Sequence, residues 1–386
     1  MIEQEKKLFE QAIEFFNKKD YDKSKTLYEE ILKINPKSSN IYGNLGVIYK
    51  IKGDINTAIK YYVTAINLNP KNTLVYNNLG NAFKEIKNYK MAIRVYTDAL
   101  KINPKDFNMF NNLGIVFELI GDSNRAIEAY KQAVKINPKY AKAINNIGVV
   151  LYKQKRYKES AQIFEIALQS DSDYNEVYSN KGAAYNKAKD YDKAIESLEM
   201  AILKMPNHGG AYTNLGNVYN KLNDYKTAAK MHEKSIELEP NGSNAYSNVG
   251  TSYKYLGLSD KAITSYKKAI ELDPNFVNAH FDLATMYLAS EDFKNGWKEY
   301  EWRFRKEEMI PHIIKHKDIF TKPLFTGIED IKGKTLLLHS EQGYGDSIQF
   351  IRFAPQLKEK FGCKIAVKCR EGLKELFKTI DEIDVI

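Results

Sequence analysis

A chain of 386 residues that is 43% hydrophobic and 28% charged is long enough for more than one ordinary domain. Its net charge of +9 comes from lysines spread at regular positions, such as Lys37, Lys71, Lys105 and Lys139, which reads as solvated surface and argues against nucleic acid as a partner. No run approaches the roughly 18 apolar residues of a membrane span, and the charged start from Met1 to Lys7 lacks an apolar core, so the expected location is cytoplasmic.

The first unit, residues 5–38, is an irregular copy of the later units: Ala12 and Ser24 stand where those have glycine and alanine. From Ser39 to Phe276 the pattern returns every 34 residues without insertion. Its glycine recurs at Gly46, Gly80, Gly114, Gly148, Gly182, Gly216 and Gly250, then as Ala284, and its proline recurs from Pro36 to Pro274 with Ser172 at the one missing place. Large side chains such as Tyr42 and Tyr49 flank each glycine at helical spacing, giving a first helix with one packing face. In the second helix Ala58, Ala92, Ala126 and their equivalents permit close approach. Turns such as Gly53-Asp54 and Gly121-Asp122 join a helix stop to an N-cap.

This period and punctuation mean a helix-turn-helix repeat, and the fixed positions closely resemble those of the tetratricopeptide repeat. The resemblance runs from about Glu5 to about Arg305 as nine units. It implies an all-α, right-handed superhelical solenoid over residues 5–308. The ninth unit departs from the pattern: its second helix reads Gly296-Trp297-Lys298-Glu299-Tyr300-Glu301-Trp302-Arg303-Phe304, apolar on more than one face, suited either to an end cap or to docking a following domain.

Residues 309–333 read as a linker. His312 and His316 within it lie four apart, with no third ligand evident, so no metal site is expected. From Lys334 the class changes. Thr335 to Ser340 reads as a strand, Glu341-Gln342-Gly343-Tyr344-Gly345-Asp346 as a turn and Ser347 to Phe361 as a helix. Lys364 to Lys368 is a second strand, Glu371 to Ile380 a second helix, and Asp384-Val385-Ile386 the start of a third strand. Cys363 and Cys369, about 20 Å apart if that second strand is extended, cannot form a disulfide. Strand-helix-strand-helix-strand opens a parallel Rossmann-like sheet, and residues 334–386 are too few to complete one, so the chain is expected to stop inside a domain.

Two constellations could carry chemistry. Asn44, Asn78, Asn112, Asn146, Asn180, Asn214 and Asn248 stand two before each repeat glycine, with Asp282 closing the series. They form a file on the far side of the first helices from the packing face, the side that lines the groove of such a superhelix. A file of amides can hydrogen-bond an extended polypeptide at about 0.5–1.5 kcal/mol net per bond, which predicts weak, sequence-tolerant binding of protein or peptide. Asparagine is also simply frequent at this place in the repeat. Lys153, Lys187 and Lys221 add a short basic stripe nearby.

The second constellation is the turn at Gly343 and Gly345. Ile348 stands where a dinucleotide fingerprint needs its last glycine, and Asp346 would repel a pyrophosphate, so nucleotide binding at this turn is not expected. Asp346 with Gln349 reads instead as a capping box. The run E-Q-G-x-G-D followed by an amphipathic helix and Ile365-Ala366-Val367-Lys368 resembles the start of the heptosyltransferase-related (GT-B) glycosyltransferase domain of bacterial proteins with tetratricopeptide repeats. That resemblance implies Asp346 as general base on an acceptor hydroxyl, Gly343 and Gly345 as shapers of the turn, and a nucleotide-sugar donor held by a second domain absent from this sequence. The chain as given is therefore not expected to be active or to hold a cofactor. The asparagine file also resembles that of the O-linked N-acetylglucosamine transferases, in which such repeats deliver acceptors.

Overall fold

The computed structural model describes residues 2–305, 325, 327, 329–339 and 343–386. They belong to two compact units, Met1–Leu256 and Gly257–Ile386.

The first unit is a solenoid of antiparallel helix pairs. First helices are α1 (Ile2–Asn17), α3 (Ser39–Ile51), α5 (Thr73–Glu85), α7 (Phe107–Leu119), α9 (Ala141–Lys153), α11 (Glu176–Lys187), α13 (Gly209–Lys221) and α15 (Ser243–Tyr255). Second helices are α2 (Tyr21–Ile34), α4 (Ile55–Leu68), α6 (Tyr89–Ile102), α8 (Ser123–Ile136), α10 (Tyr157–Ser170), α12 (Tyr191–Lys204) and α14 (Tyr225–Leu238).

The repeat glycine exists because of a residue sixteen positions later. A Cβ at Gly46, Gly80 or Gly114 would lie 2.4–2.5 Å from the ring of Tyr62, Tyr96 or Tyr130. Each tyrosine is fully buried in the recess its glycine leaves, and burying such a side chain contributes about 2 kcal/mol. Phe164, Leu198 and His232 occupy the same recess under Gly148, Gly182 and Gly216. Where serine replaces the small alanine of the second helix, its hydroxyl donates to the carbonyl beneath it: Ser24 Oγ to Ala12 at 2.8 Å and Ser160 Oγ to Gly148 at 2.7 Å.

Each turn within a repeat follows one geometry. Lys19, Gly53, Lys87, Gly121, Lys155, Lys189 and Asn223 all have positive φ, and only two of these positions use the residue that conformation favours. The next residue closes the helix, as when the Asp54 N–H donates to the Tyr49 carbonyl at 2.9 Å. It then caps the following helix. Asp20, Asp54, Asn88, Asp122, Asp190 and Asp224 each accept from the backbone N–H three residues on. The missing proline at Ser172 has a visible cost: α11 begins late at Glu176, and its N-cap Asn175 is already helical and leaves Oδ1 buried without a partner.

The second unit contains α16 (Ser259–Leu272), α17 (Val277–Ala289), α18 (Phe293–Tyr300) and a 3-10 helix at Glu301–Arg305. The last helix of the ninth repeat thus starts before Gly296 and tightens at Glu301, where a continuous helix to Phe304 was expected. Gly296 is again a contact glycine, its missing Cβ 2.7 Å from Leu288. Trp302 stacks flat on His280 at 3.8 Å, while Trp297 remains 52% exposed.

The unit ends in a small sheet. Strands β1 (Thr335–His339) and β2 (Lys364–Lys368) pair in parallel, Leu336 opposite Ile365 and Leu338 opposite Val367. A parallel bridge joins Ala366 to Val385, and the Asp384 N–H donates to the Ile365 carbonyl at 2.8 Å. Between β1 and β2 lie α19 (Tyr344–Ile351) and α20 (Ala354–Phe361). The single helix expected from Ser347 to Phe361 is broken in two because Pro355, at the start of α20, lacks an N–H and crowds the carbonyl four residues earlier. After β2 the expected second helix is only a 3-10 turn at Glu371–Leu373 and α21 (Lys374–Phe377). Both cysteines are free, Cys363 buried and Cys369 partly so.

Candidate functional site

The file asparagines project from α3, α5, α7, α9, α11, α13 and α15, and all seven are half-buried. Four of them are tied into a ladder. Asn112 Nδ2 donates to Asn77 Oδ1 at 2.7 Å, Asn146 Nδ2 to Asn111 Oδ1 at 3.0 Å, Asn180 Nδ2 to Asn145 Oδ1 at 3.1 Å, and Asn214 Nδ2 to Ser179 Oγ at 3.3 Å. Each rung reaches 35 residues back, to the position just before the preceding file asparagine. These acceptors are the residues that the periodicity left unassigned. The signal for them was the doublet: Asn77-Asn78, Asn111-Asn112 and Asn145-Asn146 stand side by side in the sequence.

The ladder lapses where its acceptor is missing. For Asn78 the register position is Gly43, which has no side chain; for Asn248 it is Thr213, whose hydroxyl is 2.7 Å from Ser235 Oγ. Neither carboxamide has a partner among the described residues. Asn44 faces the buried Tyr28 hydroxyl and offsets part of the rise that burial gives its pKa. The file therefore divides into four rungs between successive first helices, and Asn78 and Asn248, whose carboxamides have no partner among the described residues.

At the C-terminal ends of the same helices a second register of 35 residues carries charge. Lys50 pairs with Glu85 at 3.3 Å, and Glu118 pairs with Lys153. The proposed basic stripe of Lys153, Lys187 and Lys221 is thereby neutralised at its first member, while Lys187 and Lys221 are exposed. His232 is the unexpected member of the repeat series. It is wholly buried, its Nε2 lies 3.4 Å from Asn220 Nδ2, and its Nδ1 has no partner. Burial pushes its pKa down to about 4.

In the second unit, Gly343 is the N-cap of α19 and Gly345 lies in its first turn; neither has positive φ, and a Cβ at either would meet nothing within 4 Å. Asp346 is exposed and sits at the third position of the helix. The capping-box reading of Asp346 with Gln349 is corrected, because the helix starts two residues before Asp346 and its cap makes no side-chain bond. Glu341 and Gln342, like His312 and His316, lie outside the described residues. Among the described residues no three His, Cys, Asp or Glu side chains are grouped to hold a metal, and no helix is long and apolar enough to cross a membrane.

Paired helices with a glycine recess and a 34-residue step define a tetratricopeptide-repeat protein, a fold typical of protein–protein interaction. The chain belongs to the family of the cilia and flagella-associated protein 70 C-terminal domain, which matches residues 6–246. Tetratricopeptide-repeat families also match residues 243–276 and 265–300. Among solved structures, the chain is similar to the APC/C hetero-tetramer Cut9-Hcn1 (TM-score 0.53, 17% identity, 69% of this chain and 52% of that one). The chain thus spans about half the length of that relative. It is also similar to a tetratricopeptide-repeat protein from Parabacteroides merdae (TM-score 0.53, 19% identity, 64% of this chain and 98% of that one). No curated protein matches.

Proposed function

We propose that this protein binds a protein segment in extended form along the groove lined by its first helices. The observation that carries the reading is the interrupted ladder. Asn78 and Asn248 present half-buried carboxamides without partners on the same helix face as the rungs, and each offers a donor and an acceptor to a peptide backbone. Ordering the peptide offsets much of the gain, so the affinity is modest. Two free cysteines accord with a reducing, cytoplasmic setting. The test is selection of displayed peptides against the full chain, followed by affinity measurement on the double variant Asn78→Ala, Asn248→Ala. A loss of about tenfold with unchanged helicity is expected from two bonds; unchanged affinity would remove the file from binding.

A second reading is favoured by the parallel pairing of β1 with β2 and the bridge to Val385 with helices between. In this reading, residues 5–308 are the acceptor-binding solenoid, 309–333 a linker and 334–386 the opening of a GT-B glycosyltransferase domain. Asp346, exposed in the first turn of α19, would serve as general base toward an acceptor hydroxyl, with Gly343 and Gly345 in its turn and a nucleotide sugar as donor to a protein or glycan. None of the family matches extends past residue 300. The test is sugar transfer by a longer chain carrying these residues: Asp346→Asn should abolish it while the fold persists, and an unaffected rate would discard the assignment.

A further inference from the structure

The register of 35 residues that pairs Lys50 with Glu85 and Glu118 with Lys153 skips one rung between them. Counting 35 forward from Lys84 gives Leu119, which cannot accept a charge and is 51% exposed. Lys84 is half-buried on α5 and has no ion-pair or hydrogen-bond partner among the described residues. Its neighbourhood is cationic. Burial pushes its pKa down, Lys50 and Lys142 add to the effect, and Glu85, already paired with Lys50, opposes it least. Lys142, on α9, is exposed and likewise unpaired. A half-buried ammonium in such a place is stabilised by an anion brought from outside.

We propose that Lys84, the cation of the unfilled rung, receives a carboxylate side chain of the bound segment, and that Leu119, its register position one repeat on, takes an apolar side chain of the same segment. The partner is thus an acidic extended peptide with an Asp or Glu next to an aliphatic residue. This rests on the groove reading above and gives it a chemistry. Carboxylate is favoured over a nucleic-acid phosphate because the register position of the rung is an exposed leucine, Leu119, rather than an aromatic on which a base could stack.

The experiment uses the full chain and two fluorescein-labelled peptides of about twelve residues, one repeating Glu-Leu-Ser-Gly and one with Gln in place of Glu, read by anisotropy at low salt. The glutamate peptide should bind about tenfold more tightly, as a charge-assisted bond predicts. Lys84→Gln should erase that difference with unchanged circular dichroism, and Lys131→Gln, exposed on the second helix α8 of another repeat, should preserve it. Equal binding of both peptides, lost in the Asn78→Ala, Asn248→Ala variant, would overturn the acid site and leave the groove. Discrimination that survives Lys84→Gln would also overturn it. No binding of either peptide up to about 1 mM would overturn the groove reading and this one together. Tighter binding of an oligouridine RNA, lost in Lys84→Gln, would reassign the rung to nucleic acid.

Discussion

Gly80 and Tyr96 are built for each other: the ring fills the space where a Cβ at position 80 would stand, 2.4 Å from Cε1, and Tyr96 Oη donates to Asn81 Oδ1 at 3.0 Å. Asn81 Nδ2 lies 3.5 Å from Asn77 Oδ1, which also accepts from Asn112. One buried ring therefore connects the packing within a repeat to the ladder between repeats.

Gly80→Ala should be more damaging than a methyl group usually is. The ring is enclosed and cannot step aside, so overpacking of about 1–3 kcal/mol is expected, seen as a lowered midpoint in urea. Gly182→Ala meets Leu198 Cγ at 2.5 Å and the Ala194 carbonyl oxygen at 3.2 Å; the leucine is smaller than a tyrosine ring and can shift further, so the loss should be smaller. Equal losses at both positions would mean that the ring does not set the recess.

His232 should make the seventh repeat acid-sensitive. Its folded pKa of about 4 lies below the ordinary 6.5, so the unfolded chain takes up the proton first. Stability is whole above pH 6.5 and falls as pH drops toward 4, by about 3 kcal/mol at the end of the range. The capping aspartates Asp54, Asp122 and Asp224 also lose stabilisation in acid, since their folded pKa values are lowered by bonds to Thr57, Arg125 and Thr227. The difference between wild type and His232→Tyr isolates the histidine. Tyrosine is the residue under Gly46, Gly80 and Gly114, so the variant should fold and lose the pH 4–6.5 component.

Much of this was legible in sequence because a repeat prints its constraints many times over. The glycine, proline and small alanines fixed the helix pairs and their turns. What stayed hidden depends on contacts between repeats. The rungs join residues 35 apart, and a 34-residue period places those two positions in adjacent columns, where Asn111 and Asn146 look unrelated. The recess partners were visible as large side chains sixteen after each glycine, yet helical periodicity alone says only that they are buried. In the second unit, Pro355 broke a helix that the apolar pattern continued, because a missing N–H outweighs periodicity.

Turn geometry gives a stabilising change. Lys155 holds φ 63° at a position where Gly53 and Gly121 hold 83° and 81°. Relief of left-handed strain is partly offset by the freer unfolded chain, so Lys155→Gly should gain up to about 1 kcal/mol, and Gly121→Lys should lose a similar amount. Thermal melts of the two variants would carry opposite signs. A loss in both would show that Lys155 contributes something beyond its backbone.

The rung between Asn111 and Asn146 can be measured directly. Asn111 is 1% exposed, and its Oδ1 accepts from Asn146 Nδ2 at 3.0 Å, so Asn146→Ala strands a buried acceptor. That single change should cost about 1–3 kcal/mol, more than the net worth of the bond. Adding Asn111→Ala removes the stranded group as well, and the double variant should be less damaged than the two single losses added together, with a coupling of about 0.5–1.5 kcal/mol. Because a solenoid is stabilised by nearest-neighbour interfaces, the loss should appear as weakened protection of amide hydrogens in α7 and α9 before the distant repeats respond. Zero coupling with full additivity would mean that the asparagines meet without holding the repeats together, and the whole file would then be available to a ligand.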